Sequence, residues 1–214
     1  MAIAEHSTAS TFAAQPPIVV RPRMTEEQFV EWCTPRSHAE WVDGEVIVMS
    51  PVSNKHNKLD IWLLAIVQFF IERFELGEVR GPEMQVRFGE LHSRRQPDLL
   101  FVSKAHLDRI RPNHVEGSPE LIVEIVSPES QSRDWRVKYL EYEAAGVAEY
   151  LVIDPITHVV ELYRLNSGGT YEQVLEVDGR LSFTTLPAFF LKTEWLWSEP
   201  LPKLETALKE LGVL

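Results

Sequence analysis

Two short apolar runs each carry one carboxylate where an apolar residue belongs. Residues 96–102 read Gln96-Pro97-Asp98-Leu99-Leu100-Phe101-Val102, and residues 120–128 read Glu120-Leu121-Ile122-Val123-Glu124-Ile125-Val126-Ser127-Pro128. Both have the length and apolar content of a strand. Strand periodicity puts Ile122, Glu124 and Val126 on one face and Leu121, Val123 and Ile125 on the other. Glu124 is therefore mid-strand among branched apolar neighbours, where an unpaired carboxylate is costly and tends to take up a proton. Two ionised carboxylates about 4 Å apart repel by roughly 4 kcal/mol at an effective dielectric of about 20. Asp98 and Glu124 brought together need a metal, a basic partner or a proton, and the sequence offers the first two. A hard cation such as Mg²⁺ held by two carboxylates, with open positions left, activates water and stabilises charge on phosphate. The residues thus point to a metal-dependent phosphodiesterase. The structural alternatives are a plain ion pair for Glu124 and Pro-Asp turn chemistry for Asp98.

A chain of 214 residues is long enough to bury a full core as one domain. The expected organisation is a disordered tail over 1–20, one domain over 21–200 and a C-terminal helix over 201–214. No run reaches the roughly 18 apolar residues of a membrane span, and the N-terminus lacks the pattern of a signal peptide. Cys33 is the single cysteine, so no internal disulfide forms and a cytoplasmic location is expected. The net charge of −11 argues against simple adhesion to nucleic acid. The charge is uneven, however. Residues 87–114 hold six basic residues (Arg87, Arg94, Arg95, Lys104, Arg109, Arg111) against three acidic ones. Residues 139–214 hold 5 basic and 12 acidic. The basic surplus surrounds Asp98; its alternative reading is a solvated loop of mixed charge.

Along the chain, Thr25 and Gln28 form a capping box for a helix to about Cys33. Asp43-Gly44 between strand-like runs predicts a hairpin over 39–49. Leu59, Trp62, Leu63, Ile66, Val67, Phe70 and Phe74 recur at helical spacing over 55–75, with Asn54 as cap and Gly77 as stop. Strands are expected over 78–88, at Asp98, at Glu124 and over 149–155, with a polar link over 103–118. A helix is expected over 130–145 and a hairpin over 159–177. Strand-like and irregular sequence follows over 181–197, and Phe189, Phe190, Trp195, Leu196 and Trp197 there are either core or a subunit interface. The pattern is α/β or α+β, with a mixed central sheet flanked by helices. In the helix after Glu124, residues Asp134, Lys138, Tyr142 and Gly146 form one ridge. The Lys138 ammonium could orient water or neutralise charge on phosphate; the alternative is an i,i+4 pair with Asp134. His56 opens the long helix, whose N-terminus favours anions, and Glu45 follows the hairpin turn as a further candidate acid. Both also fit as caps or exposed polar groups. His56, Arg95 and Tyr142 are the candidate substrate-binding residues.

These motifs, in this order, resemble the Uma-two family of restriction-endonuclease-like proteins. The likeness rests on Asp43-Gly44-Glu45, Met49-Ser50-Pro51, His56, Pro97-Asp98 and Val123-Glu124-Ile125-Val126-Ser127-Pro128. It continues through Asp134, Lys138, Tyr142, Gly146-Val147 and Glu149-Tyr150 to Val152-Ile153-Asp154-Pro155, and covers about residues 24–190. The resemblance implies the PD-(D/E)XK nuclease fold, a restriction-endonuclease-like core. It implies Mg²⁺ or Mn²⁺ held by Asp98, Glu124 and the Ile125 carbonyl, with Asp98, Glu124, Lys138 and Glu45 as catalytic residues. DNA is the implied substrate and a homodimer or higher homo-oligomer the implied assembly. One departure stands out: the superfamily expects a lysine two residues after the second acid, and here that residue is Val126. Either Lys138 supplies the ammonium from the helix, or the fold persists as an inactive binding or assembly module.

Overall fold

The computed structural model describes residues 23–34, 37–126 and 134–214. The expected N-terminal tail, the strand end at Ser127-Pro128 and the side chain of Asp134 lie outside the described residues. Helix α1 (Glu26–Trp32) starts on the expected capping box, with Thr25 and Gln28 exchanging side-chain bonds with each other's backbone N–H. Strands β1 (Ala39–Val42) and β2 (Glu45–Val48) form the hairpin. They turn through Asp43 and Gly44 at φ 45° and 85°, the positive-φ pair a tight hairpin turn needs.

Helix α2 (Asn54–Phe74) is capped by Ser53 rather than Asn54, the Ser53 side chain accepting the His56 N–H at 3.1 Å. It ends in left-handed Glu75, not at Gly77. Gly77 instead opens the next strand, where an added Cβ would clash with the Val102 carbonyl oxygen. The one strand expected over 78–88 is two. Strands β3 (Gly77–Arg80) and β4 (Gln85–Phe88) lie in different sheets, parted at Gly81-Pro82. A short strand the pattern misses, β5 (Ser93–Arg95), precedes β6 (Leu99–Ser103). The polar link holds a 3-10 turn (Lys104–Arg109) and β7 (His114–Glu116). Then come β8 (Leu121–Ile125), α3 (Asp134–Ala145), β9 (Glu149–Asp154), β10 (Val159–Leu165) and β11 (Tyr171–Val174). The C-terminal part adds β12 (Arg180–Ser182), β13 (Phe190–Lys192), α4 (Thr193–Trp197) and α5 (Leu204–Glu210).

The central sheet is mixed, as expected, with order β11-β10-β9-β8-β6-β3 and one parallel pair, β8 with β9. A second sheet runs β2-β1-β5-β4-β7. Alternation gives the central sheet two buried faces. Leu99, Phe101, Leu121, Val123 and Ile153 pack with Leu63, Ile66 and Phe70 of α2. Leu100, Ile122, Tyr150 and Val152 pack with Tyr142 of α3 and with Val86 and Phe88 of the second sheet. Phe189, Trp195 and Leu196 are buried in the first of these cores, Trp195 meeting Trp62 edge-on, so this region is core rather than interface. Among the described residues, no helix is long and apolar enough to cross a membrane.

Candidate active site

The two strands that carry the acids are neighbours. Strands β6 and β8 pair Leu99 with Val123, and the next rung falls on Asp98 and Glu124. Opposite residues on adjacent strands have Cβ atoms about 4.5–5.5 Å apart. Asp98 lies just before its strand, and its Oδ2 accepts the Ile125 N–H at 2.6 Å. Glu124 faces α3. There its Oε1 accepts the Tyr142 hydroxyl at 2.7 Å and the Lys138 ammonium at 2.9 Å. Spacings of four residues put Lys138 and Tyr142 on the same side of that helix. Both are buried, with Tyr142 fully enclosed.

Lys138 is shared. Its Nζ also lies 3.0 Å from Oε1 of Glu40 on β1, a buried carboxylate of the second sheet. Glu40 in turn takes Arg95 Nη1 at 2.8 Å and the Gln96 N–H at 3.2 Å. Arg95 is buried too, and its Nε donates to both Glu141 oxygens at 3.0 Å. Burial would push Glu40 up, but Lys138 and Arg95 outweigh it and hold its carboxyl at about 2. Glu124 goes the other way. Burial, then the charges of Asp98 and Glu40, push it to about 7 against the pull of Lys138. The cluster thus carries more negative charge than its two cations neutralise.

A second group lies on α2. His56 Nε2 stands 3.0 Å from Asp98 Oδ1, and Asp60, one turn on, is buried beside it. Burial opposes a charge on His56, but the bond to Asp98 outweighs it and raises the imidazole pKa. Burial, followed by the Asp98 charge, pushes the Asp60 carboxyl up to about 6. Among the described residues, His56 Nδ1 and Asp60 Oδ1 are buried without a hydrogen-bond partner.

The structure brings Asp98, Glu124, Lys138, Tyr142, His56 and Arg95 together. Three of the expected site residues are engaged within the fold. Arg95 is enclosed between Glu40 and Glu141, and Tyr142 is enclosed against Glu124, so neither side chain presents itself to a substrate phosphate. Glu45 sits at the turn end of the hairpin and pairs with Arg23 at 3.2 Å; Glu40 is the hairpin acid that reaches Lys138. Of the six basic residues around Asp98, Arg94 and Arg95 are buried, Arg87 and Arg109 are half-buried, and Lys104 and Arg111 are exposed. Arg87 and Arg94 hold Glu26, Arg95 holds Glu40 and Glu141, Lys104 holds Glu75, and Arg109 donates to the Ser118 carbonyl. Glu40 and Asp60 are the residues that sequence reading missed. Both had a signal: Glu40 interrupts the apolar run Ala39-Glu40-Trp41-Val42, and Asp60 interrupts the apolar face of α2 one turn after His56.

Among the described residues, no three His, Cys, Asp or Glu side chains converge as a metal-ligand set. Two carboxylates with a main-chain carbonyl fit a Mg²⁺ or Mn²⁺ site, since such ions keep several waters and need few protein oxygens.

The profile of the Uma2 family, described as "Putative restriction endonuclease", matches residues 26–194. The chain belongs to this family. Asp98, Glu124 and Lys138 all fall inside the span of the Uma2 match. A solved structure from Anabaena variabilis ATCC 29413, described as "a putative nuclease belonging to DUF820", is similar with a TM-score of 0.70. The two chains share 18% identity over 81% of this chain and 97% of that one, which establishes the fold. No curated protein matches the chain.

Proposed function

We propose that this Uma2 protein is a Mg²⁺- or Mn²⁺-dependent endonuclease that hydrolyses DNA phosphodiester bonds. One observation carries the reading: buried Glu124, on the rung opposite Asp98, bonds to the Lys138 ammonium delivered by the next helix. That ammonium occupies the role which Val126 cannot fill. Asp98, Glu124 and the Ile125 carbonyl would hold the ion. When bound, it supplies an acidified water and a polarised phosphoryl oxygen. Lys138 stabilises charge developing on the phosphate from a site where burial strengthens every interaction. Tyr142 fixes the Glu124 carboxylate, and His56 fixes that of Asp98. Arg95 acts behind the site by holding Glu40 in place.

A second reading, an inactive binding or assembly module, is favoured by the pairing of Glu124 with Lys138 and of both Asp98 oxygens with His56 and Ile125. Calorimetric titration of Mn²⁺ followed by plasmid nicking separates the two. Asp98→Ala and Glu124→Ala are expected to lose ion binding and to slow nicking by at least about 100-fold while folding normally. Lys138→Met is expected to bind Mn²⁺ and nick at least about 100-fold more slowly. Full nicking by either carboxylate variant would overturn the site. Wild type that binds Mn²⁺ but cleaves no nucleic acid would favour the module.

A further inference from the structure

Glu40 takes no direct part in the scheme above, yet it is 2% exposed and belongs to the other sheet. Two of its three partners among the described residues are pinned. Arg95 is held by Glu141, one turn from Lys138 on α3, and the Gln96 N–H is fixed backbone next to Pro97-Asp98. Glu124 is bound differently: among the described residues, both its partners meet Oε1. We propose that Glu40 is a positioning residue that shares the Lys138 ammonium with Glu124 and keeps it at the site when Glu124 turns to a divalent cation. This rests on Asp98 and Glu124 being the cation ligands.

The argument is one of charge balance at fixed places. An incoming cation competes with Lys138 for the same carboxylate. An ammonium stripped of its only anion inside the protein is heavily penalised, so a lysine paired with Glu124 alone would cling to it and resist the cation. Glu40 removes that penalty. Its Oε1 already stands 3.0 Å from Nζ, so the ammonium gives up one anion without losing the other. Lys138 then remains beside the reacting atoms instead of swinging away. Glu40 touches neither substrate nor ion in this scheme and acts through Lys138.

The test is Mn²⁺ binding, measured by calorimetry on the full chain as wild type, Glu40→Gln, Lys138→Met and the double variant. Glu40→Gln is expected to weaken Mn²⁺ binding at least about fivefold, and the same change made in the Lys138→Met background by less than about twofold. Equal weakening in both backgrounds would mean that the Glu40 charge acts on the ion directly and would overturn the proposal, as would an unchanged affinity in Glu40→Gln. Wild type that takes up no Mn²⁺ overturns the cation site and this inference together. Wild type that binds Mn²⁺ with additive losses overturns the inference alone. Should Glu40→Gln fail to fold, the Lys138 ammonium can be followed by nitrogen-15 NMR of lysine-labelled wild type. Its signal is expected to stay protected from exchange at saturating Mg²⁺, and loss of that protection would overturn the proposal.

Discussion

Asp60 sits on α2 beside two groups that affect it in opposite ways, Asp98 repelling its charge and His56 attracting it. Its folded pKa, at about 6, lies above the ordinary aspartate value of 3.8. The folded protein therefore binds this proton more tightly than the unfolded chain does, and stability falls as pH rises from about 3.8 through about 6. Asp60→Asn should remove that loss. Melting at pH 8 is expected about 3–6 °C higher than wild type, with no gain at pH 3.5. An unchanged melting point at pH 8 would show that Asp60 is not destabilised by its surroundings. At this scale sequence reading was uneven for a physical reason. A carboxylate in a strand, such as Glu124 or Glu40, is visible because burial there is predictable from alternation. What it pairs with is not, since Glu40 and Lys138 are 98 positions apart and meet only through packing.

Helix α1 packs Phe29 against Ala39, Trp41 and Val46 of the second sheet and adds an ionic tie from its first turn. Glu26 takes Arg87 of β4 and Arg94 of β5, and the Arg87 bond, followed by that of Arg94, holds its carboxyl down at about 2 despite partial burial. A depressed pKa gives stability that is present above the unfolded value near 4.5 and is lost as pH falls toward about 2. Glu26→Gln is expected to lower the melting temperature at pH 7 by about 2–4 °C and to flatten its decline between pH 5 and pH 2.5. Parallel curves for the two proteins would break this assignment. Elements with strong local chemistry were legible: the capping box of α1, the Asp43-Gly44 turn and the amphipathic face of α2. Strands β3 and β4 were not separable because both are short and mix polar with apolar residues, and which sheet a strand joins is decided by partners distant in sequence. Strand β5 was hidden because its sequence, Ser93-Arg94-Arg95, looks like surface, whereas its charges are buried against acids from β1, α1 and α3.

At the scale of the whole molecule, one ion network joins the two sheets to α3, running from Glu124 of the central sheet through Lys138 to Glu40 and Arg95 of the other. Outside it, α3 exposes Val137 and Leu140, and α2 exposes Ile61 and Phe69. The proposed homodimer or higher homo-oligomer predicts that light scattering gives at least twice the 24.6 kDa chain mass, and a stable 24.6 kDa species would refute it. The sequence by itself determined the mixed α/β class, the two acid-bearing strands and the lysine-bearing helix. Those follow from local periodicity and from the cost of placing charge in apolar runs. Only the tertiary structure decided which charges answer which. It turned Arg94 and Arg95 inward onto Glu26, Glu40 and Glu141, set Glu40 against Lys138, and brought His56 to Asp98. The reason is that a buried charge is settled by whatever lies within about 3–4 Å of it, and those neighbours come from other elements.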